Sequence, residues 1–130
     1  MGCLMERAKT KNTPYVLIDE DRGYMRMEGE SYLEDIMGFF REIVDWLEAY
    51  LVTDFEQFTF DCELQYFNSS TTKLLHNMFR AMDRSAGAGK KVIVNWIAAD
   101  DDEMNIECGE DFREEMEKLE FNLVIKPNAV

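Results

Sequence analysis

Apolar positions in this chain recur at two spacings, and each change of spacing marks an element. Tyr15-Val16-Leu17-Ile18 and Tyr24-Met25-Arg26-Met27 are short β-prone runs. The turn formers Asp19 to Gly23 lie between them, so a hairpin is predicted. Beyond Ser31 the period lengthens. Leu33, Ile36, Met37, Phe40, Ile43, Val44, Leu47 and Leu51 fall at helical spacing, a broad apolar stripe with Glu34, Asp35, Arg41, Glu42, Asp45 and Glu48 off it. Ser31-x-x-Glu34 has the form of a capping box, which predicts that the helix opens at Ser31.

Phe58, Phe60, Cys62 and Leu64 then alternate with Thr59, Asp61, Glu63 and Gln65. A strand buried on both faces is apolar throughout, so this alternation predicts a sheet with one wet face and helices mainly on the other. Leu74, Leu75, Met78, Phe79 and Met82 define a second helix, ended by Ser85-Ala86-Gly87-Ala88-Gly89. Lys91 to Ile97 is a more apolar strand. Asp100-Asp101-Asp102 supplies caps for a third helix, whose Met104, Cys108, Phe112 and Met116 recur every fourth residue on its predicted apolar side. Phe121 to Ile125 is the last strand. The order is β-β-α-β-α-β-α-β, an α/β class, and strand–helix–strand units of this length imply parallel neighbours.

Length and charge narrow what such a fold does. The 130 residues are expected to form one domain, 1–130, with a polar and frayed segment at 1–12. A net charge of −13 argues against nucleic acid or an anionic membrane as partner, because phosphates are repelled. No apolar run approaches the roughly 20 residues of a membrane span, and no signal-peptide core is present, so a cytoplasmic location is expected. The three cysteines, Cys3, Cys62 and Cys108, are widely spaced and odd in number, which argues against a disulfide framework. Met1-Gly2-Cys3 hints at myristoylation, but Glu6 stands where that motif needs Ser or Thr.

Most candidate chemistry fails on its own requirements. Gly89-Lys90 resembles part of a phosphate-binding loop, yet Arg84 stands where Gly is required and Lys91 where Ser or Thr is. His76 has no second His and no close Cys, so neither a zinc site nor a Ser-His-Asp arrangement is supported. Asp100, Asp101, Asp102 and Glu103 offer oxygen ligands for a divalent cation, or simply acids that complement a helix dipole. Asn68-Ser69-Ser70 matches a glycosylation acceptor, which has no meaning without secretion.

The hydroxyl cluster Ser69-Ser70-Thr71-Thr72 is different in kind. It follows Asn68 where an alternating strand hands over to an amphipathic helix. One reading is capping alone. The other is a phosphorylation switch: a phosphate at a helix start meets free N–H groups and the positive end of the dipole.

Five segments in order carry a resemblance. They are Glu28-Gly29-Glu30-Ser31-Tyr32, Trp46-Leu47-Glu48, Tyr66-Phe67-Asn68-Ser69-Ser70-Thr71-Thr72-Lys73, Val94-Asn95-Trp96 and Gly109-Glu110-Asp111-Phe112. From about Thr13 to Ile125 the chain resembles the SiaC family of bacterial regulatory phosphoproteins, relatives in fold of the STAS domain of anti-sigma-factor antagonists. The family pattern at the switch looks like aromatic-Asn-Thr-Ser-Ser-x-Lys/Arg, so Ser69 takes the place of the phosphoacceptor Thr. The resemblance implies a histidine-kinase-like Ser/Thr kinase, a PPM-type phosphatase, and a GGDEF-type diguanylate cyclase bound and activated by the unmodified form in biofilm control. No cofactor is expected.

Taken together, the expectation is a non-enzymatic phospho-switch protein. Ser69 is the acceptor, with Ser70 second to it, and Asn68, Ser69, Ser70, Thr71 and Lys73 form the partner contact. Two alternatives stand beside it: a small metal-dependent enzyme using Asp100 to Glu103, and a constitutive scaffold without a switch.

Overall fold

The computed structural model describes residues 2–127. Its elements are β1 (Leu4–Arg7), β2 (Tyr15–Asp19), β3 (Tyr24–Ser31), α1 (Ile36–Leu51), β4 (Gln57–Phe67), α2 (Ser69–Gly87), β5 (Lys91–Ala99), α3 (Glu103–Glu115) and β6 (Glu120–Lys126). The strands form one six-stranded sheet in the order β1-β2-β3-β4-β5-β6. β1, β2 and β3 pair antiparallel, and β3 through β6 pair parallel. This is the predicted mixed α/β fold, with each helix connecting two parallel neighbours. Gly23 makes the β2–β3 turn with φ +60°; a Cβ there would also sit 2.3 Å from the Gln57 carbonyl oxygen.

Alternation along the strands decides where the core lies. Val16, Ile18, Met25, Met27, Phe58, Phe60, Cys62, Val92, Val94 and Trp96 are buried, at 2% exposure or less, and they share one face by strand register. Phe40, Ile43 and Leu47 of α1 and Leu75, Met78, Phe79 and Met82 of α2 close over that face. The opposite face carries a polar network instead. Tyr24 Oη donates to Asp61 at 2.7 Å, Asn95 Nδ2 to Asp61 at 2.8 Å, and Asn122 Nδ2 to Asn95 at 3.0 Å. Arg26 bridges Glu28 and Glu63, each at 2.8 Å. The strands thus remain half-apolar because only one face is roofed by helices.

Three local expectations are corrected. Ser31 does not open α1. It is the last residue of β3, paired with Phe67, and its hydroxyl is buried against Thr71, so it is not free to cap. Asp35 caps α1 instead, accepting from the Gly38 N–H at 3.1 Å, and the helix begins four residues later than the Ser31–Glu34 pattern suggests. Met104 is not on the apolar side of α3: it is 83% exposed, whereas Phe112 and Met116 are buried. The buried stripe of α3 runs through Asn105, Gly109 and Phe112, and a strict four-residue spacing drifts off it around the helix, leaving Met104 on the outside. Finally, the segment expected to fray contains an edge strand. Leu4–Arg7 pairs with β2, Met5 packs against the core, and Arg7 forms an ion pair with Glu42 (Met1 lies outside the described residues).

Candidate functional site

Because β3, β4 and β5 run parallel, their carboxyl ends and the connections into α1, α2 and α3 gather at one edge of the sheet. That edge is where open α/β folds place their ligands. Asn68 organises it. Its Oδ1 accepts from the Thr71 N–H at 3.1 Å, its Nδ2 donates to the Leu33 carbonyl at 3.1 Å, and its backbone N–H donates to the Ser31 carbonyl at 3.2 Å. One side chain therefore caps α2 and ties its start to the β3–α1 connection. The backbone N–H of Thr72, bonded to the Asn68 carbonyl, begins the regular helix ladder. The N–H groups of Ser69 and Ser70 precede it and have no intrahelical acceptor.

The hydroxyl cluster separates by depth. Ser69 is exposed at the first helical position, Ser70 and Thr72 are half-buried, and Thr71 is fully buried. The Thr71 hydroxyl lies 3.0 Å from Asn68 Oδ1, 3.2 Å from the Ser31 carbonyl and 2.8 Å from Ser31 Oγ. Thr71 is therefore an internal strut; as a direct partner contact it is ruled out by its burial. Lys73 is exposed one turn beyond Ser69 on the same helix face. The electrostatics of this helix start also differ from those of its neighbours. α1 and α3 are capped by the carboxylates of Asp35 and Asp102, whereas α2 is capped by a neutral amide and has no acid in its first turn. In a chain of net charge −13, the positive end of the α2 dipole has neither an acidic cap nor an acid in its own first turn.

The remaining candidates take structural places. Asp102 Oδ1 accepts from the Asn105 N–H at 3.2 Å and Glu103 lies in the first turn of α3, the dipole-complementing arrangement. Among the described residues no group of three or more His, Cys, Asp or Glu side chains is placed to hold a metal ion. His76 Nε2 lies 2.7 Å from Glu115, joining α2 to α3, and its ring stacks near Phe112. The three cysteines are free. Burial, with Asp111 adding to it, pushes the Cys108 thiol up to about 11, so it stays protonated at neutral pH.

A feature not named among the site residues from sequence surrounds this helix start. Tyr32, Tyr66 and Met104 are 48%, 59% and 83% exposed and line one cavity with Phe67, Thr72, Asn105 and Cys108. A β-bulge creates part of it. Gly29 pairs with Leu64 but Glu30 pairs with Tyr66, so Gln65 is an extra residue on β4. Without it Tyr66 would follow Phe60, Cys62 and Leu64 into the core. With it, Phe67 turns inward to meet the Trp96 ring edge-on at 5.9 Å, and Tyr66 faces solvent. Gly29 accommodates the shift with φ +108°.

Comparisons with known proteins agree with this architecture. The model of a family described as SiaC family regulatory phosphoprotein matches residues 7–126. An uncharacterised protein of Pseudomonas aeruginosa (strain UCBPP-PA14) is 28% identical over 106 residues, which span 82% of this chain and 84% of that one. SiaC of Pseudomonas aeruginosa has the same fold, with a TM-score of 0.85 at 24% identity, covering 98% of this chain and 100% of its own. A crystal structure of the diguanylate cyclase SiaD in complex with its activator SiaC, from the same organism, also matches. There the TM-score is 0.85 at 26% identity, over 95% of this chain and 99% of that chain.

Proposed function

Because this chain belongs to the SiaC family of regulatory phosphoproteins, we propose that it is a non-enzymatic cytoplasmic switch in which phosphorylation of Ser69 controls docking of a diguanylate cyclase. The observation that carries this reading is the exposed Ser69 hydroxyl at a helix start capped by a neutral residue. A phosphoryl group there gains the N–H groups of Ser69 and Ser70, the dipole, and Lys73 one turn on. The fold can carry the modification without unfolding, since nothing buried need move.

Docking responds because the local charge changes by roughly −1.5 to −2 at neutral pH. A partner packed over Ser69 then has to strip water from a dianion, at a cost well above that of covering a hydroxyl. The cyclase follows from the relative: SiaC is described as the activator of SiaD and forms a complex with it. By the same likeness a histidine-kinase-like kinase adds the phosphate and a PPM-type phosphatase removes it, while Ser70, less exposed, is the second candidate acceptor. Asn68, Ser69, Ser70 and Lys73 remain the contact residues of this proposal, with Thr71 supporting them from beneath.

Two measurements test it. Phosphopeptide mass spectrometry after coexpression with the kinase is expected to find the modification on Ser69; modification confined to Thr71 or Thr72 would sink the assignment. Ser69→Asp is expected to weaken cyclase binding while Ser69→Ala leaves it largely intact. Equal affinity of the two variants would refute the electrostatic mechanism.

A further inference from the structure

Resting on the reading of a diguanylate cyclase as partner, but not on the phosphorylation, we infer that the outward face of α2 and the recess between the C-terminal ends of α1 and α2 form one docking surface. Its occupant is an acidic amphipathic segment of the cyclase, with carboxylates along α2 and an apolar side chain in the recess.

α2 is the basic helix of an acidic chain. Between Ser69 and Gly87 it carries Lys73, Arg80 and Arg84 against one acid, Asp83. α1 carries Arg41 against Glu42, Asp45 and Glu48, and α3 carries Arg113 against six acids. The bases of α2 are also sorted to one side. From Ser69 to Arg84 the exposed residues are Ser69, Lys73, Asn77, Arg80 and Arg84, at steps of four, four, three and four, which is a single stripe on a helix. None of them is acidic. Asp83 falls off the stripe and is held by the backbone N–H groups of Lys118 and Leu119. At roughly 1.5 Å per residue the stripe runs about 22 Å.

The fold leaves these cations unused. Among the described residues no hydrogen bond or ion pair engages the head groups of Lys73, Arg80 or Arg84. Glu114, Glu115 and Glu117 line a cavity with Arg80 and Arg84, yet the ion pair formed there is between His76 and Glu115, at 2.7 Å. Three unpaired cations along one ridge of a chain of net charge −13 are a local reversal of its field, and carboxylates at matching spacing are their complement.

The recess supplies the apolar half of the occupant. It measures about 500 Å³ and is lined by Leu51, Val52, Ala81 and Ala88, with Glu48, Arg84 and Lys90 as its charged residues. Lys90 is held by the Thr53 carbonyl and Asp54, which leaves Arg84 as the open cation where stripe and recess meet. Val52 is 85% exposed, more than any other large hydrophobic side chain described. An uncovered valine beside an apolar recess is a seat for a partner's side chain. A nucleic acid fits these features poorly: its backbone has no apolar group for the recess, and the acids of α3 stand alongside the stripe. Ser69 heads the stripe, so a dianion there repels the same carboxylates, but the surface stands without that modification.

Binding of the full chain to its cognate diguanylate cyclase, measured by calorimetry at low and high NaCl, tests the surface. Arg80→Glu combined with Arg84→Glu is expected to weaken binding by about tenfold or more at low salt, because like charges then face each other. The loss is expected to narrow at high salt, as screening shortens the reach of the charges. Val52→Asp is expected to weaken binding comparably. Arg41→Glu combined with Arg113→Glu makes the same change in net charge at exposed sites of α1 and α3, and is expected to bind as the unaltered chain does. All four arginines are exposed, so these variants fold. Normal binding by the α2 variant overturns the surface and leaves the cyclase reading standing; normal binding by Val52→Asp removes the recess from it. Equal losses in the two arginine variants overturn it as an effect of net charge alone. A loss that does not narrow with salt overturns the acidic occupant. A short DNA duplex, titrated in parallel, is expected not to bind; binding that the α2 variant abolishes would assign the stripe to nucleic acid instead. No binding of the cyclase by the unaltered chain overturns both the surface and the cyclase reading.

Discussion

Ser31 and Thr71, forty residues apart in sequence, share a hydroxyl–hydroxyl hydrogen bond of 2.8 Å with both side chains fully buried. Thr71 has one hydroxyl proton and two acceptors on its other side, Asn68 Oδ1 and the Ser31 carbonyl. Either hydroxyl can donate across the pair. The pair clamps the end of β3 to the first turn of α2, the turn that begins with the exposed Ser69.

Removing one member of this pair strands the other. Thr71→Val keeps the shape and leaves Ser31 Oγ buried without its partner, at a cost of about 1–3 kcal/mol. Ser31→Ala, combined with Thr71→Val, is expected to cost less than the sum of the two single changes, since neither hydroxyl then remains to be satisfied. Urea unfolding of the four proteins measures the coupling directly. Additive losses would show that the two hydroxyls do not depend on each other.

Gly109→Ala sets helix propensity against packing. In the middle of α3, alanine is favoured over glycine by about 1 kcal/mol on propensity alone. A Cβ at this position, however, would lie 2.4 Å from Trp96 Cδ1 and 2.8 Å from Leu123 Cδ1. The indole cannot retreat: it is 1% exposed and tethered through its N–H to the Asn105 carbonyl. Overpacking of about 1–3 kcal/mol therefore outweighs the propensity gain. The midpoint of thermal unfolding is expected to fall, by about 4 °C per kcal/mol lost in a chain of this size. A rise would show that α3 slides on the sheet.

Asp83 makes stability depend on pH at the acidic end. Its carboxylate accepts from the backbone N–H groups of Lys118 and Leu119 at 2.7 and 2.9 Å, holding the α3–β6 connection against α2. Partial burial opposes ionisation, but the N–H donors outweigh it and hold the carboxyl below its usual 3.8. A lowered folded-state value means that the contribution is complete above the usual value and is lost as pH falls through the lowered one. Asp83→Asn is expected to cost about 1 kcal/mol near neutral pH, a figure kept small by solvent screening. The difference from the unaltered protein should shrink below about pH 4. Unfolding free energies across that range test this, and a difference independent of pH would refute it.

Element types were readable without coordinates because they follow from period. The alternation Phe58 to Leu64 and the helical spacing of Leu74 to Met82 describe which side of each element is apolar, and the sheet's single wet face followed from that. The placing of Asn68 and Ser69 where strand passes to helix was equally local, since a cap is a relation between residues three apart. Three further features depended on contacts far along the chain. Ser31 ends a strand because Phe67 pairs with it and Thr71 seals its hydroxyl, so a sound capping pattern has no effect. Thr71 and Ser69 are similar residues two positions apart, yet one is a strut and the other a surface, because β3 passes beneath only one of them. Met104 fits the spacing of a core residue, but the inward side of that turn is taken by Asn105, which is bonded to the Leu64 carbonyl and the Trp96 indole. Periodicity along a chain reports which side of an element avoids water; what lies opposite that side, particularly at an element's ends, is set by segments tens of residues away, and only the assembled fold brings them together.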